Sequence, residues 1–313
     1  MKLTRRQVIA ASASTGAYMG LGMHLIATAS EVEPSSSNLI TKPIPRSGEM
    51  LPVIGLGTNR WVAAGNKSAI EDLRATLRAF NEMGGRVIDT APSYRSSEKA
   101  LGQLIAELGM RDAFFLATKV DRNKKEEGLA RMLDSLDKLG TSTVDLMQIH
   151  NLRGAEAQIE TLLSWQQEGR IRYIGVTTSR TGTHEALMEI MRREDLDFVQ
   201  VNYSIGARDA DTNVLPLAQD RGIAVMLNVP FGGRRGSVFG LLADKELPDW
   251  ASEFDCTSWA QFCLKYLLSH PAVTCPIPGT TDVDHLADNL GAGRGGLPDV
   301  AMRTRMEELF DSF

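Results

Sequence analysis

From Met50 onward, short apolar runs alternate with longer stretches whose apolar residues recur every three or four positions. Continuous apolar runs of four to seven residues are what parallel strands buried on both faces look like. Such runs occupy 51–57, 86–89, 114–119, 144–150, 173–176, 198–202, 223–227 and 272–277. Between them lie helical faces: Ile70, Leu73, Leu77 and Phe80; then Leu101, Leu104, Ile105 and Leu108. Two more follow, Leu129, Met132, Leu133, Leu136 and Leu139, and Ile159, Leu162 and Leu163. Eight strands at the spacing of βα units predict an α/β fold, a (β/α)8 TIM barrel over residues 49–313. A barrel of this kind takes about 250 residues, which the chain supplies with an N-terminal extension left over. The connection from Phe231 to Asp255 is long for a barrel loop and is expected at a binding mouth.

The extension divides in two. Residues 1–29 begin with Lys2, Arg5 and Arg6, continue through a mildly apolar stretch from Val8, and end on Ala27-Thr28-Ala29. Thr4-Arg5-Arg6-Gln7-Val8-Ile9 is similar to a twin-arginine export signal, implying passage through that machinery to the periplasm or another exported location. Ser12, Ser14, Gly16, Gly20, Gly22 and His24 dilute the apolar stretch too much for a stable membrane span. Residues 30–48 are rich in Ser and Pro and aperiodic, and read as a flexible linker. A net charge of −5 argues against nucleic acid as a partner. Cys256, Cys263 and Cys275 have neither metal nor disulfide spacing and read as small packing residues, so no metal is expected.

Three successive runs end in chemically interesting residues. Asp89 closes one, with Tyr94 just beyond Ala91-Pro92; Lys119 closes the next; His150 closes the third. In a barrel of parallel strands these ends share one mouth, the C-terminal lip where such folds do chemistry. Each residue alone is more often packing or solvated surface; the four together predict a site.

These motifs resemble the aldo-keto reductase superfamily. The resemblance runs from about Leu51 to Ala292 and rests on Gly55-Leu56-Gly57-Thr58, Asp89-Thr90-Ala91 with Tyr94, Thr118-Lys119, Gln148-Ile149-His150, Gly169-Arg170-Ile171-Arg172, Gln200-Val201-Asn202-Tyr203 and Ile277-Pro278-Gly279. It implies that Asp89, Tyr94, Lys119 and His150 are catalytic and that NADP(H) or NAD(H) is the cofactor. Carbonyl reduction needs a proton donor, and a free tyrosine with a pKa of about 10 is a reluctant one. A neighbouring lysine cation is expected to lower that pKa, with a carboxylate holding the lysine charged. Histidine can donate a hydrogen bond that orients the carbonyl oxygen.

For the cofactor, the resemblance implies Gly57 and Thr58, then Thr177, Thr178 and Gln200 around the nicotinamide carboxamide. Asn228 stands where relatives carry a stacking aromatic, followed by Pro230, Phe231 and Gly232. Ile277, Gly279, Thr280, Thr281, His285 and Asn289 are assigned to the adenosine end. Gly279 and His285 replace the cations that hold the 2′-phosphate in many relatives, which leaves Arg234 and Arg235 to compensate. Arg95 stands where relatives often have glycine, making the entrance narrower or more basic. The expected activity is reduction of an aldehyde or ketone by a monomer. The alternative is a barrel that holds nicotinamide nucleotide for sensing or structure with little turnover.

Overall fold

The computed structural model describes residues 38–62, 67–233 and 236–313. The proposed export signal, the first part of the linker, and Arg234 and Arg235 lie outside the described residues.

The first elements are a small antiparallel hairpin, β1 (Thr41–Pro43) and β2 (Met50–Pro52), with Lys42 opposite Leu51. This corrects two expectations. The later part of the supposed linker is built into the fold, with Ile44 fully buried. The run 51–57 is also not one strand: it leaves the hairpin after Pro52 and re-enters a sheet only at β3 (Leu56–Gly57). The reason is that the hairpin closes the barrel floor. Lys42 reaches past the edge and its ammonium donates to the carbonyls of Leu268 (2.8 Å), Val273 (2.7 Å) and His270 (3.3 Å).

The barrel strands follow in chain order: β4 (Val87–Asp89), β5 (Phe115–Val120), β6 (Val144–Ile149), β7 (Ile171–Thr177), β8 (Phe198–Asn202), β9 (Ala224–Asn228) and β10 (Val273–Pro276). Each is parallel to its neighbour, from β3 through to β10. Closure comes from Gly57, which bridges Gly279 and donates to the Pro278 carbonyl, while Gly55 donates to Pro276. The two edges meet so closely that a Cβ on Gly57 would lie 2.9 Å from the Ile277 carbonyl oxygen, so glycine is required there.

Side chains alternate between the two faces of each strand. Val87, Phe115, Leu146, Tyr173, Phe198, Ala224, Met226 and Cys275 form an inner cluster with Ile44 and Leu51 of the hairpin. The intervening residues, such as Ile88, Leu116, Met147, Ile174, Val199 and Val225, face outward into a separate core under the helices. Those helices are α1 (Lys67–Glu82), α2 (Ser97–Leu108), α3 (Lys125–Leu139), α4 (Ala155–Gln167), α5 (His184–Arg193), α6 (Val214–Asp220), a short α7 (Val238–Leu242), α8 (Trp259–Leu268), α9 (Val283–Gly291) and α10 (Val300–Asp311). Leu129, Leu133 and Leu163, counted with the buried faces from their spacing, are exposed instead. On α3 the stripe that reaches the barrel carries Met132, Leu136 and Leu139, and Leu129 and Leu133 fall on its flank. The three cysteines are free and buried, as the sequence suggests.

Candidate functional site at the C-terminal mouth

Counting the inward positions upward explains the mouth. Two residues above Val87 is Asp89; four above Phe115 is Lys119; two above Leu146 is Gln148; two above Phe198 is Gln200. The inner face therefore turns from apolar to polar as it nears the C-terminal end. Lys119 is fully buried and Asp89 is 2% exposed. The lysine ammonium donates to Asp89 Oδ2 at 2.6 Å and to the Thr90 carbonyl at 2.8 Å. Asp89 Oδ1 accepts from the amides of Gln200 (2.9 Å) and Gln148 (3.3 Å). Burial disfavours the lysine charge, but Asp89 and Tyr94 together outweigh it, so its pKa lies above the ordinary lysine value.

Tyr94 and His150 sit above this pair. Their rings meet edge to face at 6.1 Å between centroids, and Lys119 Nζ is 5.2 Å from the tyrosine ring centre. One electrostatic expectation is reversed. Burial raises the Tyr94 pKa more than Lys119 lowers it, so the phenol is held protonated. His150 moves the other way, down to about 4, because of burial and then the Lys119 charge. Its Nδ1 lies 3.5 Å from the Ser93 hydroxyl, a partner that can accept from or donate to either neutral tautomer.

A cleft of about 520 Å3 opens over these residues. Asp89, Tyr94, His150, Thr177, Gln200, Asn228, Pro230, Phe231, Gly232, Ile277 and Gly279 line it, together with Gly57 and Thr58. A second hollow of about 510 Å3 shares Phe231, Phe239 and Gly279 with it and reaches Thr280, His285 and Asn289. The long connection thus forms a wall between the two, as its length suggests. Two of the assigned residues are not among those that line the hollows. Thr178 lies outside the lining; its hydroxyl pairs with Thr183 at 2.6 Å. Thr281 is likewise absent from both hollows, and its carbonyl accepts from Thr76 of α1. At the start of α9 the Asp282 carboxylate caps the helix, accepting from the His285 N–H at 2.9 Å.

Several lining residues had no signal strong enough to single them out. Asn151 and Ser179 replace Thr178 at the floor of the cleft. Phe239, tilted against Phe231 at 4.8 Å between centroids, stands in the connection, where aperiodic sequence conceals its direction. Trp259 and Asp288 line the second hollow, and Asp288 is held there by Ser258 and Gln261.

The residues present fit an extended dinucleotide. The two hollows adjoin across Phe231, Phe239 and Gly279, glycines stand at 57 and 279, and the buried Asn228 Oδ1 has no partner among the described residues while its Nδ2 donates to Thr178 O. That orphan acceptor suits the NH2 of a carboxamide.

Comparison with known proteins agrees with this geometry. The sequence profile of the Aldo/keto reductase family matches residues 53–305. The chain is 32% identical over 223 residues to the aldo-keto reductase YhdN of Bacillus subtilis, covering 64% of this chain and 63% of that one. It is 28% identical over 256 residues to the methylglyoxal reductase YeaE of Escherichia coli, covering 79% and 88% respectively. A solved aldo/keto reductase from Klebsiella pneumoniae, in complex with NADP and acetate, superposes with a TM-score of 0.67 at 26% identity, over 84% of this chain and 93% of that one. With a closed parallel barrel, a polar C-terminal mouth and a profile match across nearly the whole of it, the chain belongs to the Aldo/keto reductase family.

Proposed function

We propose that the protein reduces the carbonyl of an aldehyde or ketone to an alcohol with NADP(H), and that Asp89, Tyr94, Lys119 and His150 carry the chemistry. The observation that bears most weight is the buried Lys119–Asp89 pair directly beneath the adjoining rings of Tyr94 and His150. A nicotinamide nucleotide would be held with Asn228 and Gln200 at one end and Asn289 at the other, and would supply the hydride that no side chain can provide. Relatives support this choice of cofactor and reaction: one is solved with NADP and another is named as a methylglyoxal reductase.

The chain's own groups divide the remaining work. Neutral His150 donates from Nε2 to the carbonyl oxygen and fixes its place. Tyr94 keeps its proton before the hydride is delivered, because burial opposes phenolate. When the proton moves to the nascent alkoxide, the negative charge left on the phenolate is stabilised by Lys119, which Asp89 holds in position. A role limited to holding nucleotide gains nothing from this arrangement. The N-terminal twin-arginine pattern supports an exported enzyme, which cell fractionation with antibody detection tests directly.

The functional test is a single-turnover experiment: protein loaded with NADPH is mixed with a panel of aldehydes while reduced-nicotinamide absorbance is followed. Loss of absorbance in the wild type is expected, and no loss with any carbonyl compound would overturn the reading.

A further inference from the structure

A third hollow, of about 690 Å3, adjoins the cleft on the Tyr94 side and is lined by Asn59, Arg60, Val62, Ser93, Tyr94 and Arg95. Asn59, Arg60 and Tyr94 belong to both spaces, so a molecule whose carbonyl meets Tyr94 extends naturally into this recess. Its electrostatics are one-sided. Neither arginine side chain makes an ion pair or hydrogen bond with any described residue, and both are exposed. Nearby arginines behave differently: Arg131, which reaches the Pro92 carbonyl on the same loop, is neutralised with Arg122 by Asp121. Among the described residues no carboxylate lines the recess, and the one that lines the cleft, Asp89, is committed to Lys119.

The backbone adds an independent observation. Arg95 has φ +54°, in the left-handed region that glycine occupies freely and other residues adopt at some cost. A strained non-glycine residue at the mouth of a site is a feature to be explained by function. Here the strain places a cation next to the proposed proton donor.

We infer that Arg60 and Arg95 form an anion-binding subsite, and that the preferred substrates are carbonyl compounds with a carboxylate or phosphate tail. Two guanidinium groups with free donors suit either oxyanion; Arg95 stands outside both hollows assigned to the nucleotide, and Arg60 stands where the recess meets the cleft. This inference rests on the reductase reading given above.

The test uses NADPH-loaded protein and matched substrate pairs: butanal against succinate semialdehyde, and glyceraldehyde against its phosphate monoester. The expected result is a kcat/KM at least about tenfold higher for one or both anionic partners, arising in KM and shrinking as salt is raised. The two pairs decide between carboxylate and phosphate. Arg60→Gln and Arg95→Gln should each lower the anionic-to-neutral ratio severalfold, and Arg95→Lys should restore part of it. Calorimetry of the NADP complex with hydroxybutyrate, the reduced product, gives a reading independent of turnover and should show binding weakened by both Gln variants. Neutral substrates reduced as well as anionic ones, or a ratio unchanged in both variants, would overturn the subsite while leaving the reductase intact. Failure to turn over any of the four compounds would overturn the subsite, and the wider aldehyde panel would then decide the reductase reading.

Discussion

Four side chains meet at one point, and their energetics are unequal. Tyr94→Phe removes one hydroxyl and little volume. It should lower the rate of carbonyl reduction by about 10²–10⁴ while leaving nucleotide affinity in place, which stopped-flow turnover and fluorescence titration check together. Lys119→Met has a different signature. It strands Asp89, 2% exposed, with only two amide donors, so stability should fall by about 3–5 kcal/mol in urea unfolding. His150 contributes a pH dependence. Its folded pKa of about 4 lies below the ordinary value of 6.5, so the unfolded chain binds more protons between those two values. Stability contributed by neutral His150 is therefore complete above pH 6.5 and lost as the pH falls towards 4, by up to about 3 kcal/mol. His150→Gln should flatten this acid limb, as thermal midpoints measured across that range would reveal.

At the scale of elements, the turn after β9 carries the cleft wall. Val229 has φ +44°, a conformation that β-branched residues strongly resist, and its carbonyl accepts from Gly232 at 2.8 Å. Val229→Gly should gain roughly 0.5–1 kcal/mol by relieving strain, net of the added freedom of the unfolded chain. The same change loosens the approach to Phe231 and should raise KM for the nucleotide; a denaturant series and initial rates test the two halves. The hairpin at the opposite end is a purely structural element. Replacing Lys42 by Met leaves the carbonyls of Leu268, His270 and Val273 without their shared donor and should cost about 2 kcal/mol.

Across the whole molecule, charge is distributed unevenly around the mouth. The Tyr94 side carries arginines with no ionic partner among the described residues, whereas the adenosine side carries Asp288 in the hollow and Asp282 capping α9. Preference for NADP over NAD should accordingly be weak, since a 2′-phosphate meets carboxylates there and His285 is no dependable cation. His285→Arg should strengthen NADPH binding about fivefold or more and leave NADH nearly unchanged, as read by fluorescence quenching. Unchanged NADPH affinity would place the 2′-phosphate elsewhere, with the connection holding Arg234 and Arg235 as the next region to probe.

The sequence by itself determined the strand count, the alternation with helices and the convergence of Asp89, Tyr94, Lys119 and His150. Those depend on local signals: apolar runs of strand length, helical spacing, and the position of a residue at the end of its run. It did not determine which side of each strand faces inward, because strands buried on both faces carry apolar residues at every position. Only the closed sheet decides that Phe115 lies inside and Leu116 outside, and hence that Lys119 reaches Asp89. The hairpin was hidden for the same reason, its Ile44 and Leu51 gaining an apolar setting only once the barrel floor exists. The direction of the Tyr94 pKa was also a tertiary outcome. Residue types predict that a lysine will lower it, but how far burial opposes that charge is set by the depth of the mouth, which forms only when eight strands close.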